Sequence, residues 1–442
     1  MKKYLFTTLP SNDLGLLTRS LPIACELRNR GNEIAFCNPA KAPNKLITEA
    51  KFENILPTQP LYYITSGNFN FKSLSILLHS QHLKRDIGFF FSLIRHMFQS
   101  STAEIWNIDH FMYLFGMWNE GFIQAIVDSI REVINTYKPD VIVDFWNPFA
   151  CIAARTSGKP LITVIQADMH PESQGFIWWK QAPADLFPSP IPPTNAALAE
   201  YHLPPINKIG ELLLGDMTLV LGLPETDPLP ESANVTYIGP ILWQQQDEKL
   251  PDWIDNLGKE HPLIWLYPGN MQYMRGSSTP FDSAVVLQAC ITALRNEAVD
   301  VLLGTGHQSL PHRFSHLPPN FFHASYVPGL AMAEKSDLLI HHGGYGSCQT
   351  GLYAGKPALI IPTYSERESN ARRIAAQEAG DYILPISDRT GRKKHVSAEE
   401  VRAKVFNILK NKSFKENAIR ISKRMKNYGG ATETARRIDN FV

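Results

Sequence analysis

No stretch of this chain approaches the roughly 20 consecutive apolar residues that carry a helix across a bilayer. Its amino terminus, "MKKYLFTTLPSNDLG", has two lysines but too short an apolar run for a secretory leader. Cysteine is scarce: five in 442 residues, at positions 25, 37, 151, 290 and 348. The number is odd, and no pair has the spacing of metal ligands or of a disulfide framework. A reducing compartment, and hence a cytoplasmic protein, is the expectation. Net charge is nearly absent, and a formal value of +1 argues against a chain dominated by nucleic-acid binding.

What is present is apolar material and strand–helix alternation. Apolar residues make up 44%, enough for a large core, and the length exceeds one ordinary domain. Charge is segregated. Arg389 to Lys426 holds 13 Lys/Arg against 3 Asp/Glu, a balance of +10 that leaves −9 elsewhere. Such a run reads as a solvated helical face, or as a surface attracted to anionic membrane.

The first half opens with a strand, "KKYLFTTLP", and a loop, "SNDLG". Leu17, Leu21, Ala24 and Leu27 then recur at helical spacing. Pro22 within that pattern predicts that the helix starts just before it, since proline is tolerated in a first turn. Gly31 and "EIAFCN" complete a βαβ unit. "DVIVDFW" (140–146) and "PLITVIQA" (160–167) are further strands. Residues 60–125 differ, with "IGFFFSLIRHMF" and "HFMYLFGMW", and read as helical core or as the wall of an apolar pocket. The polar stretch around 230–262 reads as a linker. Alternation then restarts with "PLIWLYPG", a helix in "DSAVVLQACITALRN", and "VDVLLGTG", "FFHASYVP", "SDLLIHHGG", "PALIIP" and "YILP" as strands. The expected fold is α/β, two doubly wound parallel sheets, with ligands at the carboxyl ends of the strands.

The glycine cluster "HHGGYGSCQTGL" lies at such an end. A helix beginning near Gly346 offers unpaired amides and the positive end of its dipole. Glycines admit an anion close to the backbone, Ser347 adds a hydroxyl, and His342 adds a ring donor. The set suits a diphosphate, although glycine arithmetic alone equally fits close helix–strand packing.

The run "HHGGYGSCQTGLYAGKPALIIPTYSERESN" (341–370) resembles the donor-binding signature of the GT-B fold nucleotide-sugar glycosyltransferases of the UDP-glycosyltransferase-like (GT1) family. "YIGPILW", "WLYPGN", "SYVP", "GLLTRSLPIACELRNRGNEIAF" and "KPDVIVDFWNPFACIAARTSGKP" extend the likeness. Residues 60–125 and 166–225 lie outside it. The resemblance implies two Rossmann-like domains facing a cleft: an acceptor-binding domain over 1–245, a linker over 246–261, a donor-binding domain over 262–425, and a C-terminal helix over 426–442 that crosses back. It implies that His342, Ser347 and the amides near Gly344 and Gly346 contact the diphosphate, joined by Gly269 and Asn270. Tyr326 takes the place of the aromatic that stacks on the base, and Val327 lies where backbone reads it. No paired acidic DxD motif is present, which fits the family's metal-independent chemistry; the nucleoside-diphosphate sugar is a co-substrate and no cofactor is implied.

Three positions depart from the family pattern. Thr350 stands where Glu usually holds the ribose. Glu366 and Arg367 stand where Asp-Gln usually touches the sugar; an arginine there suits an altered or acidic sugar, or pairs with Glu366 or Glu368. Leu16 stands where most relatives carry the histidine base of an inverting transfer. Asp13 is the nearest carboxylate, as base or as a turn residue. Asp144 matches the residue that orients the missing histidine, and His170 is a further candidate base or a packing residue. The function implied is transfer of a sugar from a UDP- or dTDP-sugar to a small apolar or aromatic acceptor. A non-catalytic sugar-nucleotide binder, a lipid-acceptor transferase and an epimerase are the alternatives.

Overall fold

The computed structural model describes residues 1–11, 14–57, 104–182, 189–244, 248–269, 283–362, 364–388 and 394–441. Two compact units emerge: Met1–Trp243 with Gly429–Val442, and Gln244–Tyr428.

The first unit is built on a seven-stranded sheet: β1 Lys3–Thr8, β2 Glu33–Cys37, β3 Glu53–Asn54, β4 Val141–Phe145, β5 Leu161–Ile165, β6 Met217–Leu221 and β7 Thr236–Gly239. Its order is β3-β2-β1-β4-β5-β6-β7, with every pairing parallel. Strands β4 and β5 are buried along their whole length, which is why they read as continuous apolar runs. The helix Glu120–Tyr137 packs Phe122, Ile126, Ile130 and Val133 into the core of this unit, and the helix Pro148–Thr156 adds Phe149 and Ile152. The final helix, Gly430–Phe441, belongs to this unit. Lys2 Nζ donates to the Asp439 carbonyl (2.8 Å), while Tyr4 Oη (3.2 Å) and Asn32 Nδ2 (3.1 Å) donate to its carboxylate.

The second unit carries a six-stranded sheet: β8 Leu263–Tyr267, β9 Asp300–Gly304, β10 Phe321–Ala324, β11 Leu338–His341, β12 Ala358–Ile360 and β13 Gly380–Tyr382. The order β10-β9-β8-β11-β12-β13 is again all parallel. Both sheets switch direction beside their first strand, so each is doubly wound, with its ligand crevice at the carboxyl ends next to that switch. In the second unit that crevice lies where β8 and β11 end.

Two expectations change. Pro22 sits in the middle of the helix Gly15–Asn29, not in its first turn. An internal proline costs about 3 kcal/mol, but Leu17, Leu21, Ile23, Ala24 and Leu27 of this helix are all buried, and each such side chain returns about 1.5–3 kcal/mol, less for alanine. The stretch read as linker contains β7, an edge strand of four residues flanked by polar chain. The segment "HFMYLFGMW" forms a short helix, Ile108–Met112, continued as a π-helix over Tyr113–Met117. "IGFFFSLIRHMF" lies outside the described residues, as does the 389–393 end of the basic run.

Candidate active site

The glycines after β11 have separate reasons. Gly343 has φ +85°, and a Cβ there would lie 2.7 Å from the Arg367 carbonyl. At Gly344 a Cβ would lie 2.5 Å from His342 Nε2. Both are packing requirements. Gly346 is different: it is exposed, and a Cβ there would meet nothing within 4 Å. It occupies the first turn of the helix Tyr345–Tyr353, whose N-cap, Gly344, offers no side-chain cap. The amides of Gly346 and Ser347 therefore keep the unpaired state of a helix start, in front of open space. Ser347 is half-buried.

His342 is buried and packs edge-on against Tyr267, ring centroids 5.5 Å apart. Burial is the main force holding its pKa well below the usual histidine range; the charge of Arg367 and neighbouring His341 add to it, and the Tyr267 backbone opposes. The ring is thus neutral near pH 7. Its Nδ1 is buried without a partner, and a Cβ at Gly269 would lie 3.3 Å from it. Gly269, at φ +103°, thereby leaves room for the ring. His341 accepts from the Gly343 amide through Nδ1 (3.1 Å), and burial lowers its pKa to about 4.

A second support comes from the helix Ser365–Ala376. Asn370 Nδ2 donates to both the Gly343 carbonyl and Glu366 Oε1, each at 2.9 Å. The loop and the Glu366 carboxylate are thus held by one amide. Nothing in the sequence singles out Asn370 beyond its place one helical turn after Glu366. Glu368 pairs with Arg372 at 2.7 Å. The Thr350 hydroxyl donates to the Gly346 carbonyl (2.8 Å), inside its own helix. Tyr326 donates to Glu248 (2.8 Å), and its ring lies nearly parallel to that of His307, centroids 4.1 Å apart. Val327 is buried. Asn270 lies outside the described residues.

In the first unit, Asp144 is the penultimate residue of β4 and is fully buried. Oδ1 accepts from Thr7 Oγ1 (2.5 Å), and Oδ2 accepts from the Asn147 amide (2.9 Å) and Cys151 Sγ (3.4 Å). Burial dominates and pushes its pKa up to about 7, against the pull of these donors. A carboxyl group so enclosed holds the β4–helix turn through Thr7, Asn147 and Cys151. Since the fold binds this proton more tightly than the unfolded chain, stability falls as pH rises from about 4 to about 7. Asp144→Asn places an NH2 against these donors and is expected to cost on the order of 1–3 kcal/mol at pH 5. The deficit relative to wild type should narrow toward pH 8 in paired thermal melts; a widening gap would contradict this assignment.

Next to Asp144, Trp146 adopts φ +64°, a backbone conformation uncommon for a bulky residue. Phe111 packs edge-on against it at 6.1 Å, and Phe115 stacks on Phe111 at 6.2 Å. Leu16 packs against the same core. Phe111 and Phe115 belong to the stretch that the sequence offers as helical core or the wall of an apolar pocket; what the sequence does not show is Trp146 at the carboxyl end of β4, which reads there as the end of a strand. His170 is buried in the loop after β5, and its Nδ1 accepts from the Glu172 amide at 3.2 Å. Asp13 lies outside the described residues. Among the described residues there is no cluster of His, Cys, Asp and Glu able to hold a metal, and no helix is long and apolar enough to cross a membrane.

Comparison with known proteins places this geometry. Residues 290–441 match the family of the erythromycin biosynthesis protein CIII-like C-terminal domain. The chain is 30% identical to the NDP-glycosyltransferase YjiC of Bacillus subtilis over 72% of its length and 76% of that protein. It is 26% identical to a PGL/p-HBAD biosynthesis glycosyltransferase of Mycobacterium tuberculosis, over 69% of this chain and 71% of that one. In fold it resembles the calicheamicin glycosyltransferase CalG4, with a TM-score of 0.69, 18% identity, and coverage of 100% and 98% of the two chains. The two parallel-sheet Rossmann-like units are those of the GT-B fold, and the chain belongs to the glycosyltransferase family of YjiC, enzymes that use a nucleotide-sugar donor.

Proposed function

We propose that this enzyme transfers a sugar from a UDP- or dTDP-sugar to a small apolar or aromatic acceptor, with inversion and without a metal. One observation carries the donor half: a helix start with unpaired amides at Gly346 and Ser347, open space before it, and neutral His342 beside it. As the sugar departs, the diphosphate gains negative charge. Fixed amides and a dipole meet that charge without reorganising, which is the work a cation does elsewhere. Arg367 adds a positive charge near His342, and Glu366 offers an acceptor to sugar hydroxyls. For the acceptor half, the wall of Trp146, Phe111 and Phe115 suits a flat apolar body. Displacement at the anomeric carbon requires that the acceptor lose a proton, and Asp13 is the carboxylate proposed to take it.

The test is incubation of the protein with labelled UDP- and dTDP-sugars and a panel of apolar acceptors. A glycoside of inverted configuration, formed in excess chelator, is the expected product. An altered sugar nucleotide would point to epimerisation, and tight donor binding without product to a binding protein. In parallel, His342→Ala should weaken nucleoside-diphosphate affinity at least about tenfold, the loss of one charge-assisted bond. Unchanged affinity by calorimetry would remove His342 from the site. A lipid acceptor is the second reading, favoured by the exposed cations Lys412, Lys415, Arg420, Lys423, Arg424 and Lys426 along one helix. Salt-sensitive sedimentation with anionic vesicles would support it.

A further inference from the structure

The loop that follows β5 lines a half-open pocket of about 100 Å³, with Asp109, Asp168, His170 and Lys208 among its walls. By volume it accommodates several waters or one small polar group. Its walls are built rather than incidental. Gly210 packs so closely that a Cβ would lie 2.7 Å from the Met169 carbonyl, and one at Gly175 would lie 2.9 Å from the Trp106 carbonyl. His170 and Asp168 are each only 3% exposed.

The hydrogen bonds decide what the site can do. The Glu172 amide donates to His170 Nδ1, which occupies the lone pair of that nitrogen. In the neutral ring the proton then resides on Nε2, the nitrogen left for the cavity. Burial lowers the His170 pKa, so the ring is neutral near pH 7. His170 is therefore a donor toward the cavity and not a base. Asp109 accepts from the Ile209 amide through Oδ1 (2.8 Å), leaving Oδ2 as an acceptor. Lys208 Nζ donates to the Pro171 carbonyl at 2.5 Å and retains two further protons. Donors and carboxylate acceptors thus alternate around a small space. The carboxylates disfavour an anion, and an apolar group would leave Asp109 Oδ2 and His170 Nε2 without hydrogen bonds.

We infer that this pocket is a subsite for the hydroxyls of a neutral group seated at its mouth, such as a sugar already carried by the acceptor, with His170 Nε2 donating to one hydroxyl oxygen and Asp109 accepting from a neighbouring hydroxyl. The inference rests on the acceptor being bound by the first unit, and it adds that the acceptor has a polar end as well as an apolar body.

The test is saturation-transfer NMR with glycerol, methyl β-D-glucopyranoside and methyl α-L-rhamnopyranoside as probes. Wild type should show transfer to at least one of the glycosides. His170→Asn keeps an acceptor for the Glu172 amide but cannot reach the cavity, and should raise the Kd of that probe at least fivefold. Asp109→Asn, which retains an oxygen for the Ile209 amide, should do the same and serves if the first variant does not fold. UDP titration of the same samples should be unchanged. Absence of transfer to every probe in wild type, or equal transfer in a folded variant, would overturn the subsite. Loss of UDP binding in wild type would instead overturn the donor assignment.

Discussion

Gly346→Asp should abolish donor binding while leaving the fold as stable as before, or slightly more so. The position is exposed, and its added Cβ meets nothing within 4 Å, so no protein atom need move. Glycine is a poor helix former, and an acidic residue in a first turn gains about 0.3–1 kcal/mol from the dipole. Thermal melting should stay level or rise. The same carboxylate would occupy the space proposed for the diphosphate. Two like charges about 4 Å apart repel by roughly 4 kcal/mol at a surface-like dielectric, which is about a 10²–10³-fold loss of affinity. Gly346→Ala, with no charge and only one methyl, should lose much less. A variant with intact melting and wild-type nucleotide affinity would show that the space before this helix is not the donor site.

Asp13→Asn should depress kcat by about 10²–10⁴, the usual contribution of a positioned general base, with nucleotide affinity unchanged. Leu16 has no proton acceptor. Asp144 is enclosed by Thr7, Asn147 and Cys151, and His170 turns a protonated nitrogen toward its cavity. The N-cap of the following helix is Leu14, which makes no side-chain cap bond. Single-turnover kinetics at saturating donor would read the effect. Wild-type turnover in this variant would show that the acceptor hydroxyl loses its proton without help from Asp13.

Much of the architecture is legible because both sheets are parallel and covered on two faces. Strands such as "VIVDF" and "LLIH" then become uninterrupted apolar runs, and the helices between them show period. The signal fades where burial is one-sided or short. β7 stands at one edge of its sheet and is preceded by polar chain, so it does not stand out in the sequence. Pro22 misleads in the opposite direction, because a local rule about proline yields to a buried apolar face.

At the proposed donor site, residue types are readable but not their division of labour. The cluster of glycines suggests one purpose. Geometry separates Gly343 and Gly344, which make room for Arg367 and His342, from Gly346, which faces open space. Asn370 reaches back 27 residues to the Gly343 carbonyl, a link that no local pattern can carry. His170 illustrates the same limit: a lone histidine after a strand is a plausible base until the Glu172 amide is seen to take its lone pair.

A crystal structure with bound UDP would probe the diphosphate assignment without any substitution. Phosphate oxygens should lie about 3 Å from the amides of Gly346 and Ser347, with the ring of His342 beside them. A diphosphate bound elsewhere, with these amides facing only solvent, would contradict the account.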